Sequence, residues 1–556
     1  MLLSGRKDLS VPSIHLLLIL LLTAAIYLPF LGDMAWRGNE PLRVIVAQAM
    51  LETGDYLQPV FHGTPYFLKP PLVNWLIAAS AATFGSLNEW TSRLPSVVLM
   101  FLLGVSLYFL TATWLKRDGR LFAALATLST AGLILKGRTA EVDSLFIFLV
   151  VFILLLWING YVRQWNPVIL WGVSLFLLGI SFLTKGPQAP AYFYSTVFAF
   201  LFFRKKTSFF FSRAHLFGLL IFAGVLVVYV SSVLRSITLN DYIDLWIAQI
   251  TSRGSTGKNS FLGHLFQYPI TIFLAFMPWV LFVFPAFFMR DLRAGIVRLL
   301  KNELVVYSLI MIVVNFPVYW LLPSARDRYF LPAGPFIVII NAAFFELYID
   351  SAETMPQLRI FFERTLKVLS WTAVLAVVLI FSIGLYKGLA LTLLLGLTGA
   401  GLASLAVYII YRIRSVPLRY FPVVTAFLVG LYFPLFAGMN AQYDSMQENN
   451  PKKIASEING ILPDNIVVVY ELGYKRFQSV TCYLNKKVIM LDGFDKLPTR
   501  NAANTYFIFD SDFVSDTGDN PRKTLPPENA WEEIYSKYFR KSKGTLIVGR
   551  LREGSE

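Results

Sequence analysis

Long apolar runs separated by short polar segments recur along this chain up to about residue 440. A helix needs roughly 20 residues to cross a hydrocarbon core of about 30 Å, and these runs have that length. We therefore predict about thirteen transmembrane helices. They cover residues 14–32, 92–115, 120–135, 144–161, 167–184, 188–203, 215–234, 264–289, 303–322, 328–349, 367–386, 389–411 and 420–438. Leu31-Gly32-Asp33, not a small-residue cleavage motif, follows the first run, so we expect a retained anchor.

Basic residues are concentrated in alternate loops, and this asymmetry predicts the topology. An excess of Lys and Arg marks the cytoplasmic face. An odd number of spans with a cytoplasmic N-terminus then places the C-terminus on the outer side. The residues of the basic loops are Arg6, Lys7, Lys116, Arg117, Arg204, Lys205, Lys206, Arg290, Arg293, Arg412 and Arg414.

Composition agrees with a membrane protein and removes several other classes. A chain that is 56% hydrophobic with mean hydropathy +0.60 is not an ordinary soluble globule. The net charge of +15 is explained by inner loops lying against anionic membrane lipids, so we expect no nucleic-acid partner. The single cysteine, Cys482, excludes an internal disulfide and a cysteine-built zinc site. The sequence contains no Walker A motif, so ATP-driven transport has no support.

Two segments outside the membrane have patterns of their own. From about residue 440 strand-like and helical stretches alternate, which predicts a small C-terminal α/β domain over 440–556 beside a membrane domain over 1–439. The long first outer loop, 33–91, has amphipathic helical patterns typical of helices in the membrane interface. Its predicted helices are Leu42–Leu51 and Pro71–Phe84. In the C-terminal segment 440–556, here called the tail, we predict strands at Ile466–Tyr470, Lys487–Leu491, Tyr506–Asp510 and Thr545–Gly549, and helices at Pro451–Leu462 and Asn529–Phe539.

Unusual polar residues gather in the outer loops, first around Glu40. Glu40 lies between Arg37 and Arg43, whose charges favour an ionised carboxylate. Such a group suits the orientation of an acceptor or the binding of a cation better than strong general-base catalysis. An interfacial salt-bridge cluster is the equally weighted alternative.

A second candidate is Lys69, which follows Tyr66 and directly precedes Pro70-Pro71. The prolines restrict the backbone, so Lys69 is a pre-positioned ammonium suited to clamp a phosphate. A lysine that snorkels to the membrane surface is the alternative.

Acidic and basic residues also lie at the outer ends of several spans. Glu141 and Asp143 are close to the apolar core, where acids are costly and therefore functional candidates, although Asp143 could simply cap its helix. Lys185, Arg253 and Arg326 add cations on the same face. His62 and His264 are isolated, so we assign no metal site, and a role for a divalent cation stays open.

Several motifs occur in the order found in one known family. They are Met50–Tyr56, Gly63–Pro71, Arg93–Ser96, Leu183–Pro187 and Arg328–Pro332. In these motifs the chain closely resembles the lipid A 4-amino-4-deoxy-L-arabinose transferase family. That family belongs to the GT-C class, which also includes the protein O-mannosyltransferases.

The resemblance implies a GT-C fold and an enzyme of the bacterial inner membrane with its C-terminal domain in the periplasm. It implies transfer of an aminoarabinose-like sugar from undecaprenyl phosphate to lipid A or another envelope glycolipid, by a chain expected to be monomeric. In the family, a lysine, an arginine and a tyrosine bind the donor phosphate. The corresponding residues here are Lys69, Arg253 and Tyr329.

One departure concerns catalysis, because Asn39 stands where the family has the aspartate of an Asp-Glu pair. An asparagine cannot accept a proton, so either Glu40 or Asp143 takes the role or the protein is impaired. A phosphate acceptor is already ionised and needs no strong base. We assign Glu40 and Asp143 as catalytic residues; the predicted supporting residues are Asn39, Arg43, Tyr66, Glu141, Lys185 and Arg326.

Two alternatives remain at the level of sequence. An enzyme of the protein O-mannosyltransferase kind would act on neutral hydroxyls, and Asn39 counts against it. A lipid-linked sugar flippase or transporter would place charges along a path through the middle of the membrane. The polar groups of this chain lie instead near one interface.

Overall fold

The computed structural model describes residues 11–255, 261–282, 290–350, 449–472, 477–498, 504–511, 530–539 and 544–552, with single helical positions between 356 and 382. The chain divides into two compact units. We call Met1–Leu31, Leu68–Val73 and Arg93–Asn440 the membrane unit, and Gly32–Phe67, Asn74–Ser92 and Ala441–Glu556 the loop–tail unit. Most of the first outer loop therefore belongs with the C-terminal residues. The predicted domain boundary at 440 stays a prediction.

The secondary structure is mostly helical, with all longer strands in the tail. In chain order the helices are α1 (Val11–Tyr27), α2 (Glu40–Thr53), α3 (Leu72–Phe84), α4 (Glu89–Leu110), α5 (Arg117–Leu128), α6 (Ala131–Gly137), α7 (Val142–Val162), α8 (Pro167–Lys185), α9 (Gln188–Phe203), α10 (Thr207–Phe210), α11 (Arg213–Val233), α12 (Leu239–Ser255), α13 (Phe261–Ala275), α14 (Arg290–Leu299), α15 (Glu303–Trp320), α16 (Gly334–Asp350), α17 (Pro451–Ile461) and α18 (Gln478–Thr481). The strands are β1 (Val60–Phe61), β2 (Thr64–Pro65), β3 (Val468–Leu472), β4 (Lys487–Leu491), β5 (Tyr506–Asp510), β6 (Trp531–Phe539) and β7 (Gly544–Leu551).

Six helices within the described residues are long and apolar enough to cross a membrane, and a seventh is added if α5 and α6, bent by 62°, form one span. The six are α4, α7, α8, α11, α15 and the helical stretch Leu331–Asp350. The chain is thus a multi-pass helical membrane protein. The predicted spans 389–411 and 420–438 lie outside the described residues, as does nearly all of 367–386, so the count of thirteen stays a prediction.

Side chains fix the ends of helices in the membrane unit. The Asn302 side chain accepts hydrogen bonds from the backbone N–H groups of Leu304 and Val305, which starts α15. Arg138 caps the C-terminus of α1. Its guanidinium donates to the carbonyl oxygens of Ile26 at 2.8 Å and Tyr27 at 3.0 Å, in the last turn of that helix. These carbonyls have no partner within the helix, so the arginine both satisfies them and anchors the loop before α7.

The tail forms a five-stranded mixed sheet in the order β4-β3-β5-β7-β6. Strands β4, β3 and β5 are parallel, and β7 and β6 are antiparallel to their neighbours. Apolar residues of α17, including Ile454 and Ile458, pack in one core with Val469 and Ile508 of the sheet. The predicted α/β character of the tail and the four predicted strands are confirmed, with ends shifted by up to two residues.

The predicted helix at Asn529–Phe539 is wrong, because this segment is strand β6, paired antiparallel with β7. A bulge between Glu533 and Tyr535 shifts the register. As a result Ile534 and Tyr535, adjacent in sequence, both pack against the core that contains α17, whereas Trp531 packs against the other core. The bulge breaks the alternation of a strand and leaves apolar residues at helical spacing.

Candidate functional site

Asp143 belongs to a cluster of five charged residues in the membrane unit. The Lys185 ammonium donates a hydrogen bond to Oδ1 of Asp143. Oδ2 of Asp143 lies 3.5 Å from Arg328 Nη1 and 3.8 Å from Lys136 Nζ. Oε2 of Glu141 lies 2.5 Å from the same lysine and 3.4 Å from the same arginine nitrogen. Three cations and two carboxylates are thus joined in one network.

The ends of three helices bring this network together. Lys136 lies in the last turn of α6, Asp143 in the first turn of α7 and Lys185 at the end of α8. A carboxylate at a helix N-terminus and ammonium groups at C-termini are each favoured by the helix dipole. Gly186 ends α8 with φ +70°, and a Cβ there would lie 2.5 Å from the Trp246 ring. Glycine is therefore required where the chain turns away from the site.

The electrostatics of the network suit the binding of an anion. Three positive and two negative groups leave a formal charge of +1. Asp143 is 0% exposed and engaged by three cations, so it can hold those cations in place. Lys185 also lies over aromatic rings, 4.5 Å from the centre of Phe146 and 5.7 Å from that of Tyr329.

The structure brings together several residues that the sequence indicated. Asp143, Glu141 and Lys185 share the network, and Tyr329 adjoins it, with its ring also 6.0 Å from the Arg328 guanidinium carbon. Arg326 is exposed directly before the 3-10 turn Asp327–Tyr329. Glu141, not Asp143, occupies the N-cap position of α7, so the capping role considered for Asp143 is not observed.

Two members of the network, Lys136 and Arg328, are absent from the predicted site. Their positions in the sequence could have indicated them, because Lys136 opens the loop that ends at Asp143 and Arg328 directly precedes Tyr329. Arg253 lies in the last turn of α12, and its side chain is outside the described residues. Lys69 is half-buried in the membrane unit.

Glu40 opens α2 in the loop–tail unit. It is 0% exposed, and its Oε2 accepts a hydrogen bond from the backbone N–H of Arg37 at 3.0 Å. Asn39 is the N-cap residue, but its side chain makes no capping hydrogen bond. One turn later Arg43 is buried, with its guanidinium carbon 5.8 Å from the centre of the Tyr66 ring. Three of the predicted supporting residues therefore lie in this unit with Glu40.

His62, considered above as an isolated histidine, has partners in the loop–tail unit. Its Nε2 lies 3.1 Å from Thr481 Oγ1 and 3.4 Å from Glu471 Oε2. Burial lowers the pKa of His62 to about 4 and raises the pKa of Glu471 to about 8. The pair therefore retains one proton at neutral pH. Within the described residues, no group of three His, Cys, Asp or Glu residues could hold a metal ion.

Comparison with known proteins finds several that are similar to this chain. Residues 68–230 match the family model described as dolichyl-phosphate-mannose-protein mannosyltransferase. An undecaprenyl phosphate-alpha-4-amino-4-deoxy-L-arabinose arabinosyl transferase of Pseudomonas aeruginosa is 34% identical over 163 residues, which are 27% of this chain and 28% of that enzyme. An uncharacterized protein of Aquifex aeolicus is 25% identical over 470 residues, covering 82% of this chain and 84% of that protein.

A solved structure resembles the whole chain. The crystal structure of ArnT from Cupriavidus metallidurans bound to undecaprenyl phosphate superposes with a TM-score of 0.69 at 15% sequence identity, covering 96% of this chain and 97% of that one. This likeness establishes the fold, and the matched segment 68–230 contains Lys69, Asp143 and Lys185. The resemblance indicated by the motifs is confirmed: the chain is similar to ArnT-like glycosyltransferases of the GT-C class.

Proposed function

We propose that this protein transfers a sugar from an undecaprenyl-phosphate-linked donor to lipid A or another envelope glycolipid, on the periplasmic side of the bacterial inner membrane. The observation that carries the proposal is the network around Asp143, which has more cations than carboxylates and lies at the ends of apolar helices. The relative with 34% identity has a name that specifies such a donor. A phosphate at the membrane surface is the anion that this arrangement suits.

On the donor side, Lys69, Arg253 and Tyr329 are the proposed phosphate-binding residues. Breaking the glycosidic bond leaves negative charge on the polyprenyl phosphate, and cations fixed in advance stabilise that charge without reorganisation. Lys185 and Arg328, held by Asp143, add to the positive potential near Tyr329. Asp143 thus serves catalysis by fixing cations.

On the acceptor side, Glu40 is the proposed carboxylate that orients the incoming group. Asn39 cannot act as a general base, which agrees with an acceptor phosphate that is already ionised and needs none. Glu40 is held by the Arg37 backbone and therefore has a fixed direction. Positioning and electrostatic stabilisation then supply most of the rate enhancement.

The test is transfer of a radiolabelled sugar from polyprenyl phosphate to lipid A by purified wild type, Glu40→Gln and Asp143→Asn. We expect both variants to lose about 100-fold or more in kcat, the range for removal of a preorganised electrostatic group. Glu303→Gln is the matched control, because it removes a half-exposed carboxylate of the membrane unit, paired with Arg204, that is not in the network. Full activity in both variants would contradict the catalytic assignment while keeping the enzyme class.

The match to the mannosyltransferase model favours one second candidate, transfer to protein hydroxyls. The same donor offered with an acceptor protein in place of lipid A distinguishes the two. Label recovered in protein and not in lipid would replace the glycolipid acceptor. If the intact donor lipid crosses the liposome membrane and its glycosidic bond is not cleaved, the protein is a transporter and both transferase functions are wrong.

A further inference from the structure

The turn that leads into Glu40 is held by a residue of the tail. The Trp36 ring stacks on the Tyr483 ring, with centroids 4.8 Å apart and planes 18° from parallel. The backbone N–H of Trp36 donates to the Tyr483 hydroxyl oxygen at 2.6 Å, and that hydroxyl donates to Oε1 of Glu89 at 2.7 Å. The indole N–H of Trp36 donates to Ser92 at 2.9 Å. Both the backbone and the ring of Trp36 are therefore fixed.

The acceptor of the Tyr483 hydroxyl is itself anchored. Lys452, at the start of α17, places its ammonium 2.6 Å from Oε1 of Glu89 and 5.7 Å from the centre of the Tyr483 ring. Burial, together with the Glu89 carboxylate, raises the pKa of Tyr483 well above its ordinary value, so its hydroxyl keeps its proton. Glu89 is thus joined to Tyr483 by a hydrogen bond and to Lys452 by an ion pair.

A second tail residue reaches the same turn. The Gln478 side-chain amide lies 3.4 Å from the carbonyl oxygen of Gly38, to which it donates a long hydrogen bond. Gly38 has φ +65°, and the backbone N–H of Glu40 donates to the carbonyl of Arg37 at 3.2 Å. The tail thus contacts Trp36 and Gly38, which precede Glu40 by four and two residues. The positive φ of Gly38 is a conformation that favours glycine.

We infer that the tail is a positioning element for the reaction, with Tyr483 as the residue that sets the direction of the Glu40 carboxylate through the turn Trp36–Asn39. The inference rests on the proposed role of Glu40. Displacement of a catalytic group by about 1 Å can lower a rate about 100-fold, so a single hydrogen bond to this turn has a measurable effect. Tyr483 touches neither donor nor acceptor in this role; it acts through Glu40.

The experiment compares Tyr483→Phe with Tyr535→Phe in the full-length protein. Tyr535 donates to Glu457 at 2.6 Å, so the control loses the same kind of tyrosine–glutamate bond in the same tail, away from the turn. We expect Tyr483→Phe to lower kcat about 10-fold or more with donor KM unchanged, because misdirection of Glu40 affects the chemical step. Tyr535→Phe should retain wild-type kcat and KM.

Two further measurements separate positioning from folding. In the Glu40→Gln background Tyr483→Phe should have no additional effect on kcat, whereas damage to the fold would add to that of Glu40→Gln. Hydrogen exchange of the peptide spanning residues 34–40 should speed up in Tyr483→Phe and stay unchanged in Tyr535→Phe. Gln478→Met is a second variant with little risk to folding, and we expect a smaller fall in kcat.

The outcomes are distinct. Wild-type kcat in Tyr483→Phe together with an inactive Glu40→Gln overturns the positioning role and leaves the proposed function intact. A fully active Glu40→Gln overturns the catalytic assignment, and the inference with it. Additive loss in the double variant, or an equal loss in Tyr535→Phe, assigns Tyr483 to stability alone and also overturns the inference.

Discussion

Removal of the Lys185 ammonium should destabilise the membrane unit, because it leaves Asp143 as a buried carboxylate without its hydrogen-bond donor. Asp143 is 0% exposed and Lys185 is 7% exposed. Breaking a buried ion pair by removing one partner costs about 3–5 kcal/mol. Arg328 at 3.5 Å and Lys136 at 3.8 Å remain near the carboxylate and offset part of the loss. We therefore expect Lys185→Met to lower the free energy of unfolding by about 3 kcal/mol.

The measurement is unfolding by sodium dodecyl sulfate in mixed micelles, followed by circular dichroism. The double variant Asp143→Asn/Lys185→Met removes both charges and should recover more than half of the loss. Arg204→Met is the control, since its ion pair with Glu303 has side chains 34% and 37% exposed and should contribute less than about 1 kcal/mol. Equal stability of Lys185→Met and Arg204→Met would refute the reasoning.

Three other outcomes follow from local geometry. In the folded loop–tail unit, His62 is neutral above pH 4 and Glu471 stays protonated up to pH 8, so the pair holds one proton between these values. In the unfolded chain Glu471 is already ionised, and His62 loses the last proton of the pair at its ordinary pKa of 6.5. Stability should therefore fall by about 2 kcal/mol from pH 6.5 to 8, and Glu471→Gln should abolish that fall in thermal unfolding scans. Arg138→Leu leaves carbonyl oxygens at the end of α1 without their charged donor and should lower stability by about 3 kcal/mol in the same micelle assay. Gly137→Ala would place a Cβ 2.3 Å from a tyrosine ring and should cost about 1–3 kcal/mol, while Gly224→Ala meets nothing within 4 Å and should be neutral or slightly stabilising.

Apolar runs predicted the helices best where strong local signals end them. Helix α8 starts at Pro167 after the capping Asn166 and ends before Gly186, so its limits agree with the predicted span to within one residue. Helix α12 was not predicted, because Asp241 and Asp244 interrupt its apolar pattern. Strand β6 was misassigned because its register depends on pairing with β7, which lies later in the sequence.

The candidate site could be predicted as a set of residue types but not as a network. Acids near the apolar core pointed to Asp143 and Glu141 through the cost of charge in a membrane. Their partners are set by packing: Lys185 is 42 residues from Asp143, and Arg328 is 187 residues from Glu141. No periodicity relates positions so far apart, which is why Arg328 was missed as a partner. The same holds for the contact of Tyr483 with Trp36. Lys136 lies only five residues before Glu141, and its contact depends on the turn between α6 and α7.

Asn39 provides the sharpest test of the acceptor's chemistry. It is the exposed N-cap residue of α2 and makes no side-chain capping bond. Aspartate is an equally good N-cap, and its charge gains about 0.3–1 kcal/mol from the helix dipole, so Asn39→Asp should fold at least as well as wild type. If the acceptor is an ionised phosphate, a second carboxylate beside Glu40 repels it, and we expect kcat/KM for lipid A to fall. Asn39→Ser, an uncharged cap, should retain wild-type transfer. A rise in transfer by Asn39→Asp would mean that the acceptor is a neutral group that needs a base, and it would exclude the phosphate acceptor.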